Sequence, residues 1–456
     1  VEWMSPLDAL FVLGEGRAHP MHVGSVLLFE PPADAGPGWV DTVWETLRAD
    51  GPVHPLFRTR PHRIGGVGYP RWRVEPRVDL NSHVRRWGVP GAGSVADLFE
   101  VVSLLHAAVL DPDRPAWEVH LIEGLADGRI AVYAKMHHAL ADGVTAMHLL
   151  EQTLTTEHDR HRPPRAPWQQ LRSLPTPDPA SPRSRPSVLG LARPLRAAAD
   201  LAPAAARVAW TALRLQHTPW PWQAPRTVLN TPVGGARRCT GRSWPLERVR
   251  QVAKSAGTTV NDVVLALAAG GLRGYLSERG ALPGKPLIAM VPVSLHPSST
   301  TSTAASGNQL AAVLCPLATD VADPLARLHA ISAAMHDRKR LYRKMSPAEA
   351  MAASALLLTP AALTVLPGTA GRADPVFNLV ISNVPGPRDP LYWHGARLDA
   401  TYPMSIPIDG LALNITVTGT ATSLDVGLTA CRRTLPDIDR LLDHFDTTLA
   451  ELENAS

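Results

Sequence analysis

Residues 156–186, TEHDRHRPPRAPWQQLRSLPTPDPASPRSRP, hold eight prolines and only two leucines as aliphatic side chains. Proline locks φ and lacks a backbone N–H, so neither a helix nor an internal strand can run through such a stretch. It has too little apolar surface to offset the entropy of ordering it, so it reads as a linker, partly disordered. The chain must therefore build its core from two separate stretches. The first is 1–155 and the second 226–456, with 156–225 holding the linker and connecting helices. A chain of 456 residues is long for one core, which agrees with two units.

Both stretches alternate between the two periodicities. MHVGSVLLFE (21–30), WEVHLIEGL and RIAVYAKMHH read as strands, the last two joined by a tight turn at Ala126-Asp127-Gly128. GWVDTVWETLRAD, residues 95–111 and GVTAMHLLEQTL have helical spacing. In the second stretch PLIAMVPVSL, NQLAAVLCPL, FNLVISNVP and LALNITVTGTATSLDVGLTAC are β-rich. AGTTVNDVVLALAAGGLRGYLSERG is a helix with a Thr-rich start and a Gly stop, and PLARLHAISAAMHDRKRLYRKM and LPDIDRLLDHFDTTLAELENA are amphipathic helices. The expected class is α/β, two layers of mixed sheet with flanking helices.

The formal charge of +4 is too small to suggest nucleic acid, and no basic block or zinc-finger spacing occurs. Arginine far outnumbers lysine, and its scattering reads as a solvated surface. Cys239, Cys315 and Cys431 are odd in number and lack metal-ligand spacing, which fits a reducing cytoplasm. The first residues lack the basic region and apolar core of a signal peptide. No uninterrupted apolar run reaches the length of a spanning helix. Two segments, 187–216 and 347–368, are apolar enough to pack on a domain or to lie in a membrane interface.

The stretch KMHHALADGV places His137, His138, Asp142 and Gly143 within seven residues. If the strand persisted, the two imidazoles would point to opposite sides. Asp142 and Gly143 then fall in the turn before the next helix. The carboxylate suits loop fixing and the glycine suits a close backbone approach. An imidazole can take and return a proton near neutral pH. No serine or cysteine sits in a nucleophile elbow nearby, which favours direct attack by a substrate hydroxyl. Two of eighteen histidines could also fall side by side without a role, and a metal site lacks further ligands.

His-His-x-x-x-Asp-Gly resembles the signature of the CoA-dependent acyltransferase superfamily. The chain is more narrowly similar to the bacterial wax ester synthase/diacylglycerol acyltransferase family. The resemblance extends through MSPLDALF (4–11), HPMHVGSVLLFE (19–30), DPDRPAWEVHLIEGL (111–125), MHHALADG (136–143), TVNDVVLA (259–266), GNQLAAVLCPL (307–317), SNVPGP (382–387) and YPMSIPIDGLALNITV (402–417). It implies two chloramphenicol-acetyltransferase-like domains around a central tunnel. His138 would be the general base, His137 its support, Asp142 a structural carboxylate paired with an arginine, and Gly143 the space for the acyl donor. Asn261 would bond the substrate or the oxyanion, or cap a helix. Asp262 would be structural. Asn383, Pro385 and Gly386 would border the tunnel, or simply form a β-turn. Two blocks depart from the family: Pro115-Ala116-Trp117 stands where Pro-Leu-Trp is usual, and Gly307-Asn308-Gln309 where Gly-Asn-Arg is usual.

The resemblance implies O-acyl transfer from long-chain acyl-CoA to diacylglycerol, and secondarily to fatty alcohols, with acyl-CoA as co-substrate and neither cofactor nor metal. It further implies a cytoplasmic protein, monomeric by default, held peripherally at membranes or lipid droplets. Two other readings remain open at this point. One is an amide-forming condensation-type enzyme, and the other a non-catalytic acyl-CoA or lipid carrier.

Overall fold

The computed structural model describes residues 2–63, 68–141, 143–156, 165–169, 224–294, 310–342, 345, 349–350 and 374–455. Asp142, the Gly307-Asn308-Gln309 block and the apolar segments 187–216 and 347–368 lie outside the described residues, apart from Glu349 and Ala350.

The strands are β1 Glu2–Trp3, β2 His22–Glu30, β3 Thr59–His62, β4 Arg71–Val74, β5 Val84–Gly88, β6 Trp117–Glu123, β7 Ile130–His137, β8 Arg237–Pro245, β9 Ile288–Ser294, β10 Leu310–Pro316, β11 Leu379–Pro385, β12 Tyr392–Trp393, β13 Ala396–Met404, β14 Leu413–Gly419 and β15 Ser423–Cys431. The helices are α1 Pro6–Gly14, α2 Trp39–Arg48, α3 Leu80–His83, α4 Val95–Ala107, α5 Gly143–Thr153, α6 Leu246–Ser255, α7 Val260–Glu278, α8 Pro324–Tyr342 and α9 Asp439–Ala455.

Two six-stranded mixed sheets dominate. The first runs β12-β13-β2-β7-β6-β5, the second β10-β9-β11-β14-β15-β8, and a small third sheet runs β1-β4-β3. The α/β class is thus confirmed. Two strands of the first sheet, β12 and β13, come from the second stretch of chain, and β13 pairs antiparallel with β2. β13 also lies directly against β15. Thr401 N–H donates to Asp425 Oδ2 at 2.8 Å and Ser405 N–H to Thr429 Oγ1 at 3.1 Å. Gly427 permits this approach, because a Cβ there would sit 1.9 Å from the Pro403 carbonyl oxygen.

One face of the first sheet packs Leu27, Phe29, Val119 and Val132 against α2, and the other packs Val26, Leu28 and Tyr133 against α4. The second sheet buries one continuous core beneath α6, α7, α8 and α9. All three cysteines are buried and unpaired. Among the described residues no helix is long and apolar enough to cross a membrane.

The linker reading needs correcting at 165–169. Trp168 is fully buried, 5.0 Å from the Trp117 ring, and its carbonyl accepts from His54 N–H at 2.8 Å. One indole supplies enough apolar area to hold a short proline-flanked segment in place. The helix expected over 95–111 also stops early, at Ala107. There the Lys135 ammonium donates to the carbonyls of Leu105 and Ala108, at 3.0 and 2.8 Å, and so satisfies the helix's last acceptors.

Candidate active site

β7 is an inner strand of the first sheet, and it ends at His137 rather than running on through His138. The turn that follows is organised by His137 itself. Its Nδ1 accepts from Ala139 N–H at 3.1 Å, and its carbonyl accepts from Leu140 N–H at 2.8 Å. With Nδ1 accepting, the ring proton sits on Nε2, which faces Glu15 Oε2 at 3.7 Å. Burial, reinforced by His138, pushes His137 down to about 4, so this ring is neutral at physiological pH.

His138 occupies the first position of the turn and is half-buried. Its N–H donates to Met21 O at 2.8 Å, which continues the β2–β7 ladder by one step. Its ring stacks on Phe11 of α1, with centroids 4.3 Å apart and planes 14° from parallel. Gly143 opens α5, so the motif forms a strand, a turn and a helix start in unbroken succession.

Glu15, at the C-terminus of α1, was not singled out by sequence reasoning. Burial raises its carboxyl, and Met21 N–H donates to its Oε1 at 3.3 Å. It joins α1, the start of β2 and the His137 ring. The only sequence signal was one carboxylate in the otherwise non-acidic stretch between the helix and HPMHV. Glu15→Gln keeps the Met21 bond and removes the charge facing His137 Nε2. Such a variant should lower kcat about tenfold through a misplaced His138 turn, with the KM for acyl-CoA little changed. Steady-state kinetics check this, and an unchanged kcat counts against the role.

A second layer of polar groups lies beneath the motif. Lys135 shares the His137 face of β7 and pairs with Glu118 at 3.1 Å. Burial would raise Glu118, but the hydrogen bond from His120 and the Lys135 charge outweigh it and hold the carboxyl at about 2. His22, cross-strand from His137, bonds the His106 carbonyl through Nε2 at 2.9 Å. His106 Nε2 in turn donates to Ser405 O at 3.0 Å, and its Nδ1 accepts from Tyr133 Oη at 2.7 Å.

The Pro115-Ala116-Trp117 block touches the motif directly. Ala116 O accepts from His137 N–H at 2.9 Å. Trp117 is a core anchor, donating through Nε1 to Phe57 O at 2.7 Å and stacking on His83. Pro115 and Trp117 line a cavity of about 220 Å³ with Arg85, Arg114 and Glu118.

The second group of expected residues gathers on the other sheet. Asn383 Nδ2 on β11 donates to Asn261 Oδ1 in the first turn of α7 at 3.3 Å, so these two meet. Asp262 closes a capping box with Thr259 and accepts from Ser332 Oγ at 3.1 Å, which is a structural role. Gly386 packs against β14, where a Cβ would lie 2.5 Å from Gly419 O, so its small size is a packing requirement. Pro385 ends β11 in register with Gly419. α5, which follows the histidines, packs against β11, so the two groups belong to facing parts of the molecule.

The profile of the wax ester synthase/diacylglycerol acyltransferase catalytic domain matches residues 4–264, and that of the C-terminal domain of the same enzymes matches 306–453. The chain belongs to the wax ester synthase/diacylglycerol acyltransferase family. A Mycobacterium tuberculosis relative, named as a diacylglycerol O-acyltransferase, is 48% identical over 453 residues, 99% of either chain. A second from the same species, also named as a diacylglycerol O-acyltransferase, is 46% identical over 462 residues, covering 100% of this chain and 99% of its own. The solved wax ester synthase/diacylglycerol acyltransferase of Marinobacter aquaeolei VT8 superposes with a TM-score of 0.80 at 38% identity, over 100% of this chain and 99% of that one. The first condensation domain of the calcium-dependent antibiotic synthetase shares the fold at 19% identity, with a TM-score of 0.58 over 99% of this chain and 96% of that domain.

Proposed function

We propose that the protein transfers a long-chain acyl group from acyl-CoA to the hydroxyl of diacylglycerol, with long-chain alcohols as second acceptors. The observation that carries this reading is the strand–turn–helix at 130–153. There His137 is neutral and its Nδ1 holds the turn, while His138 stands at the turn's first position, stacked on Phe11. Family membership supplies the reaction class.

In this reading the two lobes, one built on the first sheet with β12 and β13 from the second stretch and the other on the second sheet, meet around a passage that acyl-CoA enters from one face and the alcohol from the other. His138 takes the hydroxyl proton as the oxygen attacks the thioester carbonyl. A tetrahedral oxyanion forms and collapses with cleavage of the C–S bond, and His138 returns the proton to the departing CoA thiolate. Asn261 supports the oxyanion. Its Oδ1 is occupied by Asn383, so its amide N–H groups are the part available to a substrate oxygen. Asp142 is assigned the loop-fixing role and Gly143 the space for the donor. General-base catalysis contributes ~10²–10⁴-fold, and positioning in the passage the larger remainder. The acceptors are insoluble in water, so we assign the protein to a cytoplasmic lipid surface, with acyl-CoA as its co-substrate.

The test is an acceptor panel with purified protein and labelled long-chain acyl-CoA. Ester formed from diacylglycerol, in excess over fatty alcohol and with no amide from amines, supports the reading. Amide product, or acyl-CoA binding without turnover, would replace it with a condensation enzyme or a carrier.

A further inference from the structure

One group of arginines is already close in sequence and is carried by the small third sheet and its flanks. Residues 58–77 contain six arginines against a single carboxylate, Glu75. The small third sheet turns several of them to one face. Arg60 pairs across the strands with Arg73, and Trp3 with Arg71. Glu75 is shared between Arg60 and Arg73, at 2.7 and 3.3 Å, so it offsets only part of their charge. The Arg71 guanidinium lies over the Trp3 ring, 5.1 Å from its centroid. Tyr69 stands 6.1 Å from that ring, is 42% exposed, and donates to Met4 O at 3.2 Å.

That last bond fixes the sheet to the segment leading into α1. On α1, Ala9 is buried and Phe11 meets His138, whereas Leu10 and Leu13, one turn apart, are 57% and 47% exposed. The helix that carries the two outward leucines thus follows directly on the segment to which the Trp–Tyr pair and the arginine strands are tied, and the same helix sets Phe11 against His138. Asp8 on α1, Asp113 near Arg60 and Glu2 on β1 are further carboxylates near this sheet, against the six arginines of 58–77.

We propose that α1 and the β1-β4-β3 sheet form a docking face for an anionic phospholipid membrane, on which Leu10 and Leu13 enter the acyl region. This rests on the acyltransferase reading, because it places the source of the insoluble acceptor beside Phe11 and His138. Tryptophan and tyrosine partition to the headgroup level, and each arginine near an anionic surface adds attraction. A second copy of the chain fits this face less well. A two-fold contact would set the arginine cluster of one protomer against that of its partner.

Flotation of the full chain with vesicles tests the face. Binding should be strong on vesicles of phosphatidylglycerol and phosphatidylcholine in equal parts. It should be weaker on phosphatidylcholine alone and in high salt. Leu10→Ser/Leu13→Ser and, separately, Arg71→Gln/Arg73→Gln should each weaken binding on the order of tenfold or more. Both double variants should keep the wild-type circular dichroism. They should also keep the wild-type rate on long-chain acyl-CoA and diacylglycerol dispersed in neutral detergent micelles. That micelle assay separates the two claims, since a wild type inactive in it sinks the acyltransferase reading whatever the vesicles show. Wild-type vesicle binding by both double variants would overturn the docking face. So would a shift from dimer to monomer in the leucine variant with vesicle binding intact, which would assign the face to a second copy.

Discussion

Acidification from neutral pH to near pH 5 should destabilise the protein by about 4 kcal/mol through His106 and His137 alone. Both are buried and neutral in the fold, His106 at about 3 and His137 at about 4, with burial the first cause in each. An unfolded histidine takes its proton near 6.5. Between that value and the folded one the unfolded chain binds more protons, so stability is fully present above 6.5 and falls as pH falls towards 4. Each of the two contributes about 2 kcal/mol near pH 5. His22, His54, His83, His120 and His394 are lowered as well, and act in the same direction. Glu15 and Asp425, raised by burial, act the other way, but they are two against seven. Glu118 adds a further loss lower down, as pH falls from its ordinary range towards 2. A total stability of about 5–15 kcal/mol leaves little margin for this. Urea titrations at neutral pH and near pH 5 measure it. Equal midpoints would show that these rings are not held neutral by the fold.

Much of this architecture was legible in the sequence because its main strands and helices carry strong local periodicity. MHVGSVLLFE, RIAVYAKMHH and LALNITVTGTATSLDVGLTAC became β2, β7 and the β14–β15 hairpin. What escaped was whatever depends on a distant partner. β13 is interrupted by Pro403 and a bulge, and it earns its place only by pairing with β2, far upstream. β8 carries three arginines, which make it polar by composition. Yet Arg237 is buried there, because carbonyls of Ala18 and Pro407 accept from its guanidinium at 2.8 and 3.3 Å. The site divides in the same way. His137 and His138 stand out as neighbours in the sequence, and Asn261 and Asn383 through the family resemblance. Glu15 and Phe11 become visible only when α1 folds back over the end of β7.

His138→Ala should leave a folded protein whose acyl transfer is slower by about a hundredfold or more. The ring makes its contacts at the edge of the core, stacked on Phe11, and its backbone bond to Met21 survives the substitution. The loss should therefore fall on turnover rather than stability. His137→Ala behaves differently. It deletes the acceptor for Ala139 N–H and empties a fully buried position, so stability and activity should fall together. The decisive measurement follows labelled acyl groups from acyl-CoA into ester and, in the same samples, the release of CoA thiol, for the wild type and His138→Ala at equal acyl-CoA occupancy. The wild type should give matched ester and thiol, and the variant normal acyl-CoA binding with neither product above about a hundredth of the wild-type rate. Ester formation by His138→Ala at near wild-type rate would contradict the general-base role of His138.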